Sequence, residues 1–442
     1  MRKRLQLALF LVLAVVAAAS MWFYATQILR ARQIADAEIK QIPRGNLSDL
    51  YPRWLGTREL LLRHRNPYSR EVTLEIQEGY YGRRLDPSRP NDPRDQQGFA
   101  YPVYVVFLLA PLSGIAFPVL RIAFYWLLAV LTAASVWLWL RTLRWRLHPL
   151  AVGACMALTL GSFAAVQGIK LQQLSLLVAA LLSAASACVA CGFLFLGGAL
   201  LALATIKPQL AWPLAAWLLL WAVGDWRSRR RLALGFGLIM ALLLAGAEII
   251  LPGWWRMFAQ AVAQYRQYTQ NQSVIEVILN EFLGPVASGA AGRTVAQILA
   301  AIAVLACAAV LWKLRRQPAD TKGFSAATAL ALALTVLVVP MYAPYNQVLL
   351  LPAILLLARE RAVFQLRSLA GVLAYWVGAF VVGWQWAASL CLTAIYYLAS
   401  QTSALDRWTW PFFATFALPV WVFALTLFLV KHEPRKLPEA LR

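Results

Sequence analysis

Apolar runs close to the length of a bilayer-crossing helix recur from Leu5 to Val430, separated by short polar clusters. No stretch shows the ~10-residue units of alternation expected of a membrane barrel strand. The pattern predicts an all-α polytopic membrane protein. Spans are expected near 5–24, 121–140, 149–166, 171–187, 188–205, 209–223, 232–251, 297–313, 324–340, 345–358, 368–391 and 411–430, about twelve in all. Residues 101–118 are apolar enough to cross, but Pro102, Pro111 and Pro118 interrupt them, and a thirteenth span would break the charge pattern below. They are expected to be re-entrant or half-inserted on the outer side.

Composition sharpens this. Of 442 residues 61% are hydrophobic and 14% charged, and the mean hydropathy is +0.63, which excludes an ordinary soluble domain. The formal charge of +22 raises the question of nucleic acid, but Lys and Arg sit mostly in short clusters between apolar runs. If Met1 is cytoplasmic and every span crosses once, the inner loops hold Arg141/Arg144/Arg146, Arg227/Arg229/Arg230/Arg231, Lys313/Arg315/Arg316/Lys322 and Arg359/Arg361/Arg367 together with both basic ends. Beyond the first long loop, the outer side keeps only Arg121, Lys170, Lys207, Arg256, Arg266, Arg293 and Arg407. That bias is the positive-inside pattern. It places both termini in the cytoplasm and accounts for the basicity without nucleic acid; the expected location is a plasma membrane, bacterial in origin.

The order MRKR, then oil from Leu5 to Tyr24, resembles a signal peptide with Ala17-Ala18-Ala19-Ser20 as a cleavage site. The aromatic end Met21-Trp22-Phe23-Tyr24 instead favours an uncleaved first span ending at an interface. Cys155, Cys188, Cys191, Cys307 and Cys391 all lie in apolar runs and are given no disulfide or redox role.

Two outer segments, 25–100 and 252–296, are too long to be mere connectors, and chemistry is expected there. No repeat or soluble linker divides the chain, so residues 1–442 read as one membrane domain. In the first outer segment, Pro52 suits a helix start, apolar positions follow at Trp54, Leu55, Leu61 and Leu62, and Asn66-Pro67 ends the pattern. Arg53, Arg58, Glu59, Arg63 and Arg65 form the other face, so an interfacial helix is expected. Asp49 stands just before it. A carboxylate there is either a loop or capping group favoured by the helix dipole or a general base at the membrane surface, and position alone leaves both open.

The string Asp49-Leu-Tyr51-x-x-Trp54, Leu60-Leu61-Leu62, Asn66-Pro67-Tyr68, followed by Phe99-x-Tyr101-Pro102 and Ala110-Pro111-Leu112, resembles the first outer loop of glycosyltransferase family 87, in the C superfamily of integral-membrane glycosyltransferases. Looser matches are Gly168-Ile-Lys170-Leu-Gln172-Gln173, Lys207-Pro208 and Pro340-Met-Tyr342-Ala-Pro344-Tyr345. Many members carry a His before the last Tyr, where this chain has Pro344. His64, His148 and His432 offer no replacement in that turn.

The resemblance implies a hexosyltransferase that moves a sugar such as mannose from a polyprenyl-phosphate donor to a lipid or glycan acceptor on the extracytoplasmic face, with inversion. It implies Asp49 as general base. Lys170, Lys207, Arg53 and Arg58 are candidates to bind the donor phosphate, although each lysine would also suit snorkelling to head groups. Tyr51, Trp54, Tyr68, Tyr101, Gln173 and Tyr345 are candidate substrate contacts. Glu248 is placed either to pair with Lys207 or Lys170 or simply to reach the interface, and Tyr265, Tyr268, Gln270 and Asn271 suit the lining of a sugar site and an ordinary interfacial loop equally. Asn46-Leu-Ser48 and Asn271-Gln-Ser273 match the glycosylation sequon, which is informative only in a glycosylating host. No metal-ligand constellation is present, so no metal or cofactor is expected. A secondary transporter or lipid-linked sugar flippase would share the span count, but would be expected to place ionisable groups near the midplane, whereas charges here sit at span ends.

Overall fold

The computed structural model describes residues 2–86, 88–269, 272–283, 290–340, 342–365 and 368–431. Helices dominate, and no strand occurs among the described residues. The first helix does not stop at Tyr24. It runs from Arg2 to Ile39, passing through a π segment at Tyr24–Ile28, and its 38 residues extend roughly 57 Å at 1.5 Å per residue. That is well beyond the ~30 Å hydrocarbon core, so its polar half continues past the membrane. The Lys170 ammonium donates to the Ala25 carbonyl within the π segment at 2.6 Å, where the helical ladder is locally disturbed.

Among the described residues six helices are long and apolar enough to cross a membrane, or seven if the bent pair Pro149–Leu160 and Phe163–Lys170 is one span. The expected count of about twelve is not met by this measure. The pair bends by 60° at Gly161, which packs so closely against Ala18 that an added Cβ would lie 2.3 Å from the Ala18 Cα. The helix then restarts under a Ser162 cap on the Ala165 amide. The run expected at 188–205 forms an 11-residue helix, Leu194–Ala204, only ~17 Å long. Gly192, at φ +87°, turns the chain before it, and the Thr205–Lys207 turn ends it. At 345–358 the chain forms a 3-10 segment, Pro344–Leu350, followed by the 9-residue helix Leu351–Arg359. Continuous oil hides such breaks, because hydropathy does not record backbone turns. Residues 101–118 yield only the short helix Val105–Leu109, the turn Ala110–Leu112 and the start of the long helix Phe117–Thr142.

The short helices nevertheless run between two distinct ends. At one, Arg229 donates to the carbonyls of Trp221, Arg315, Arg316 and Gln317. Arg359 donates there to the Leu143 carbonyl, and Lys322 pairs with Glu360 at 2.9 Å. These are the loops the charge pattern assigned to the inner side. The turns assigned to the outer side converge at the other end.

The Tyr51–Arg63 helix forms as expected, with Pro52 in its first turn and a left-handed His64 after it. Its faces do not sort as the pattern suggested: Arg53 and Glu59 are buried while Leu62 is exposed. Glu59 accepts from Arg63 at 3.0 Å and Arg65 at 2.9 Å, and Arg65 also reaches Glu75 at 2.6 Å. This fastens the helix to its neighbour, Arg70–Tyr81. Asn66 Oδ1 accepts from the Tyr68 amide, and the Tyr68 hydroxyl donates to the Tyr101 carbonyl at 2.6 Å. The Asn-Pro-Tyr turn thereby staples the 99–101 segment.

Candidate active site

A cavity of about 720 Å³ opens at the end of the helices where the turns assigned to the outer side by the charge pattern meet, within the range of small-molecule sites. Asp49 reaches it because its backbone amide donates to the Leu171 carbonyl at 2.8 Å, tying the loop to the turn after Lys170. Gln173 donates its side-chain amide to the Asp49 carboxylate. Arg53, one helical turn on, donates to the Asp49 backbone carbonyl at 3.0 Å and lies 4.6 Å from the centre of the Tyr101 ring.

Lys207 caps the start of the Pro208–Gly224 helix. Its ammonium donates to Gln173 Oε1 at 3.2 Å and to Ser175 Oγ at 2.6 Å, and Ser175 in turn donates to Asn346 Oδ1 at 2.9 Å. The ammonium also sits 5.2 Å from the centre of the Tyr345 ring. Lys207, Arg53, Gln173 and Tyr101 are buried. Asp49 is half-buried by area, and it lines the cavity. Arg53 Nε has no hydrogen-bond partner, leaving a buried charged donor available.

Burial works against charge at both ends of this network. It pushes the Asp49 carboxyl above the usual carboxylate range, opposed by Arg53, Lys207 and the Gln173 amide. It pulls Lys207 down to about 7, which nearby Arg53 reinforces and Asp49 opposes. A half-buried carboxylate of raised basicity can accept a proton, and the two cationic groups beside it can steady an anion in the same space.

Asp49, Arg53, Tyr101, Gln173, Lys207 and Tyr345 are therefore brought together. Other sequence candidates stand elsewhere. Lys170 is bound to the first helix as described, and Arg58 lies over the Trp54 ring at 5.6 Å. Trp54 donates to the Leu112 carbonyl and packs with Tyr51 and Phe117. The Tyr51 hydroxyl fills the space where Gly79 would carry a Cβ. Tyr68 lines a smaller neighbouring cavity. Glu248 pairs with neither lysine; it accepts from the Gly253 amide at 2.7 Å. Tyr265 lines the main cavity, whereas Gln270 and Asn271 lie outside the described residues.

Asp95, Ser175 and Asn346 are site residues that sequence reasoning did not single out. Ser175 and Asn346 each adjoin a candidate, within two positions of Gln173 and Tyr345. Asp95 carried no signal among the many charges of its loop; it lines the same cavity, and burial raises its pKa.

The profile of glycosyltransferase family 87 matches residues 99–340, more than half of the chain, and the protein belongs to that family. It is a multi-pass membrane glycosyltransferase in class. No curated protein and no solved structure matches it.

Proposed function

We propose that this protein transfers a hexose such as mannose from a polyprenyl-phosphate donor to a lipid or glycan acceptor on the extracytoplasmic face of a bacterial plasma membrane, inverting the anomeric centre. The observation that carries this reading is the single cavity in which the Asp49 carboxylate faces Arg53 and Lys207. Asp49 takes the proton of the acceptor hydroxyl as that oxygen bonds to the anomeric carbon. The bond from that carbon to the phosphate oxygen breaks, and its electron pair leaves with the polyprenyl phosphate. Arg53 and Lys207 stabilise the charge that develops there, and Tyr101 and Tyr345 wall the space around it. The charge bias of the loops and the clustering of the outer turns at the cavity support an extracytoplasmic site.

The test is transfer from radiolabelled polyprenyl-phosphate mannose to candidate lipid acceptors by purified protein in detergent. Asp49→Asn is expected to lose roughly two to four orders of magnitude, the usual worth of general-base assistance. Full activity of that variant would remove Asp49 from the mechanism. Failure of the wild type to release polyprenyl phosphate from any such donor would remove the donor class.

A further inference from the structure

The main cavity has a neighbour of opposite character. The second cavity, about 330 Å³, shares Ala100 with the first, and the Trp254–Tyr268 helix contributes to both. Positions 258, 259, 262, 263, 265 and 266 of that helix line the charged cavity, and positions 261, 264, 267 and 268 line the smaller one. The smaller cavity has no charged side chain in its wall, which carries Tyr68, Thr73, Gln96, Gln264, Gln267 and Tyr268.

That lining selects chemistry. Three carboxamides supply donors and acceptors in fixed pairs, as a hydroxyl does, so a ligand bearing several hydroxyls can be matched without charge. Aromatic rings at Tyr68 and Tyr268 provide flat apolar surface for the C–H face of a sugar ring. An anion would find no cation there. Gln96 is committed, its Oε1 accepting from Gln77 at 2.8 Å. The side chains of Gln264 and Gln267 make no hydrogen bond among the described residues and are exposed. The Tyr68 hydroxyl, donating to the Tyr101 carbonyl, ties this wall to the segment whose Tyr101 ring lies against Arg53 in the charged cavity.

We propose that the smaller cavity is a binding site for a neutral saccharide, the glycan end of the acceptor, delivered beside Asp49 across the wall at Ala100. The inference rests on the reading of the charged cavity as the donor site, and it narrows the acceptor to one that carries sugar.

The test is saturation-transfer NMR on the purified full chain with methyl α-mannoside, methyl α-glucoside and methyl α-galactoside as probes. At least one glycoside is expected to give a signal with wild type that falls about tenfold, the equivalent of one or two neutral hydrogen bonds, in Gln264→Leu/Gln267→Leu. The signal is expected to persist in Asp49→Asn. Both glutamines are exposed, and an unchanged unfolding midpoint checks the fold of the double variant; Gln267→Ala gives a milder second reading of the same face. Absence of signal from every glycoside, or a signal indifferent to both glutamine variants, overturns the proposal, as does a signal lost in Asp49→Asn alone. Because binding is read without turnover, glycoside signal in a protein that releases no polyprenyl phosphate would sink the donor reading and leave the saccharide site standing.

Discussion

Gln173 holds Asp49 and Lys207 at a fixed separation: its amide nitrogen donates to the carboxylate while its Oε1 accepts from the ammonium at 3.2 Å. The amide bond favours the ionised form of Asp49. Gln173→Leu therefore raises the Asp49 pKa further and misplaces the side chain. Turnover is expected to fall about tenfold to a hundredfold, as for loss of a hydrogen bond to a charged group. The acid limb of the kcat–pH profile should move to higher pH. An acid limb that stays in place would argue that another group titrates.

Lys207 gives the alkaline side its sign. Burial holds it at about 7, so in the free enzyme the ammonium is present below that pH and lost as pH rises through it. Affinity for an anionic phosphate should weaken in the same direction. The expected result is a kcat/KM for the donor that declines above neutrality in wild type. The decline should vanish in Lys207→Arg, whose guanidinium remains charged. Equal declines in both proteins would assign the limb elsewhere.

The proposed neutralisation of the leaving phosphate by Arg53 and Lys207 predicts activity independent of divalent cations. No group of three or more His, Cys, Asp or Glu able to hold a metal occurs among the described residues. Protein dialysed against EDTA is expected to retain its rate. Loss that magnesium or manganese restores would overturn this part of the mechanism.

Lys170 is expected to behave as a structural residue, because its ammonium is spent on the Ala25 carbonyl of the first helix. Lys170→Met should cost about 1.5–3 kcal/mol, the range for a charge-assisted hydrogen bond, seen as a lower unfolding midpoint in detergent. The KM for the donor should not change. A raised donor KM with an unchanged midpoint would return Lys170 to the phosphate.

The helices Leu194–Ala204 and Trp226–Ile250 touch through reciprocal glycines. A Cβ on Gly198 would lie 2.1 Å from the Leu232 carbonyl oxygen, and one on Gly235 2.1 Å from that of Phe195. Backbone cannot yield as a side-chain tip can. Gly198→Ala and Gly235→Ala should each destabilise by about 1–3 kcal/mol, measured by thermal unfolding. Ala at Gly237, which meets nothing within 4 Å, is the control.

The sequence was readable where the signal was periodic or local. Apolar runs gave the helical class, Pro52 and Asn66-Pro67 gave the ends of the helix near the site, and clustered arginines gave the loops that meet at one end. Resemblance supplied Asp49, Gln173, Lys207 and Tyr345. What stayed hidden depended on the third dimension. Hydropathy cannot show that Gly192 turns the chain or that a helix bends at Gly161, beside Ala18. Nor could spacing separate Lys170 from Lys207, two isolated lysines at the outer ends of apolar runs, because only the π segment of the first helix gives Lys170 a different partner. The buried face of Arg53 and Glu59 escaped a reading in which charge meant solvent.

The charged cavity also sets a schedule for the protein's birth. Its residues extend from Asp49 to Asn346, roughly 300 residues, or about 15–60 s of synthesis at ~5–20 residues per second. During that interval Asp49 and Arg53 are already delivered while Tyr345 and Asn346 do not yet exist. On the proposed mechanism, a chain stalled before Asn346 carries its base and no site to use it in, so catalytic competence arrives late and serves as its own certificate that membrane insertion has been completed.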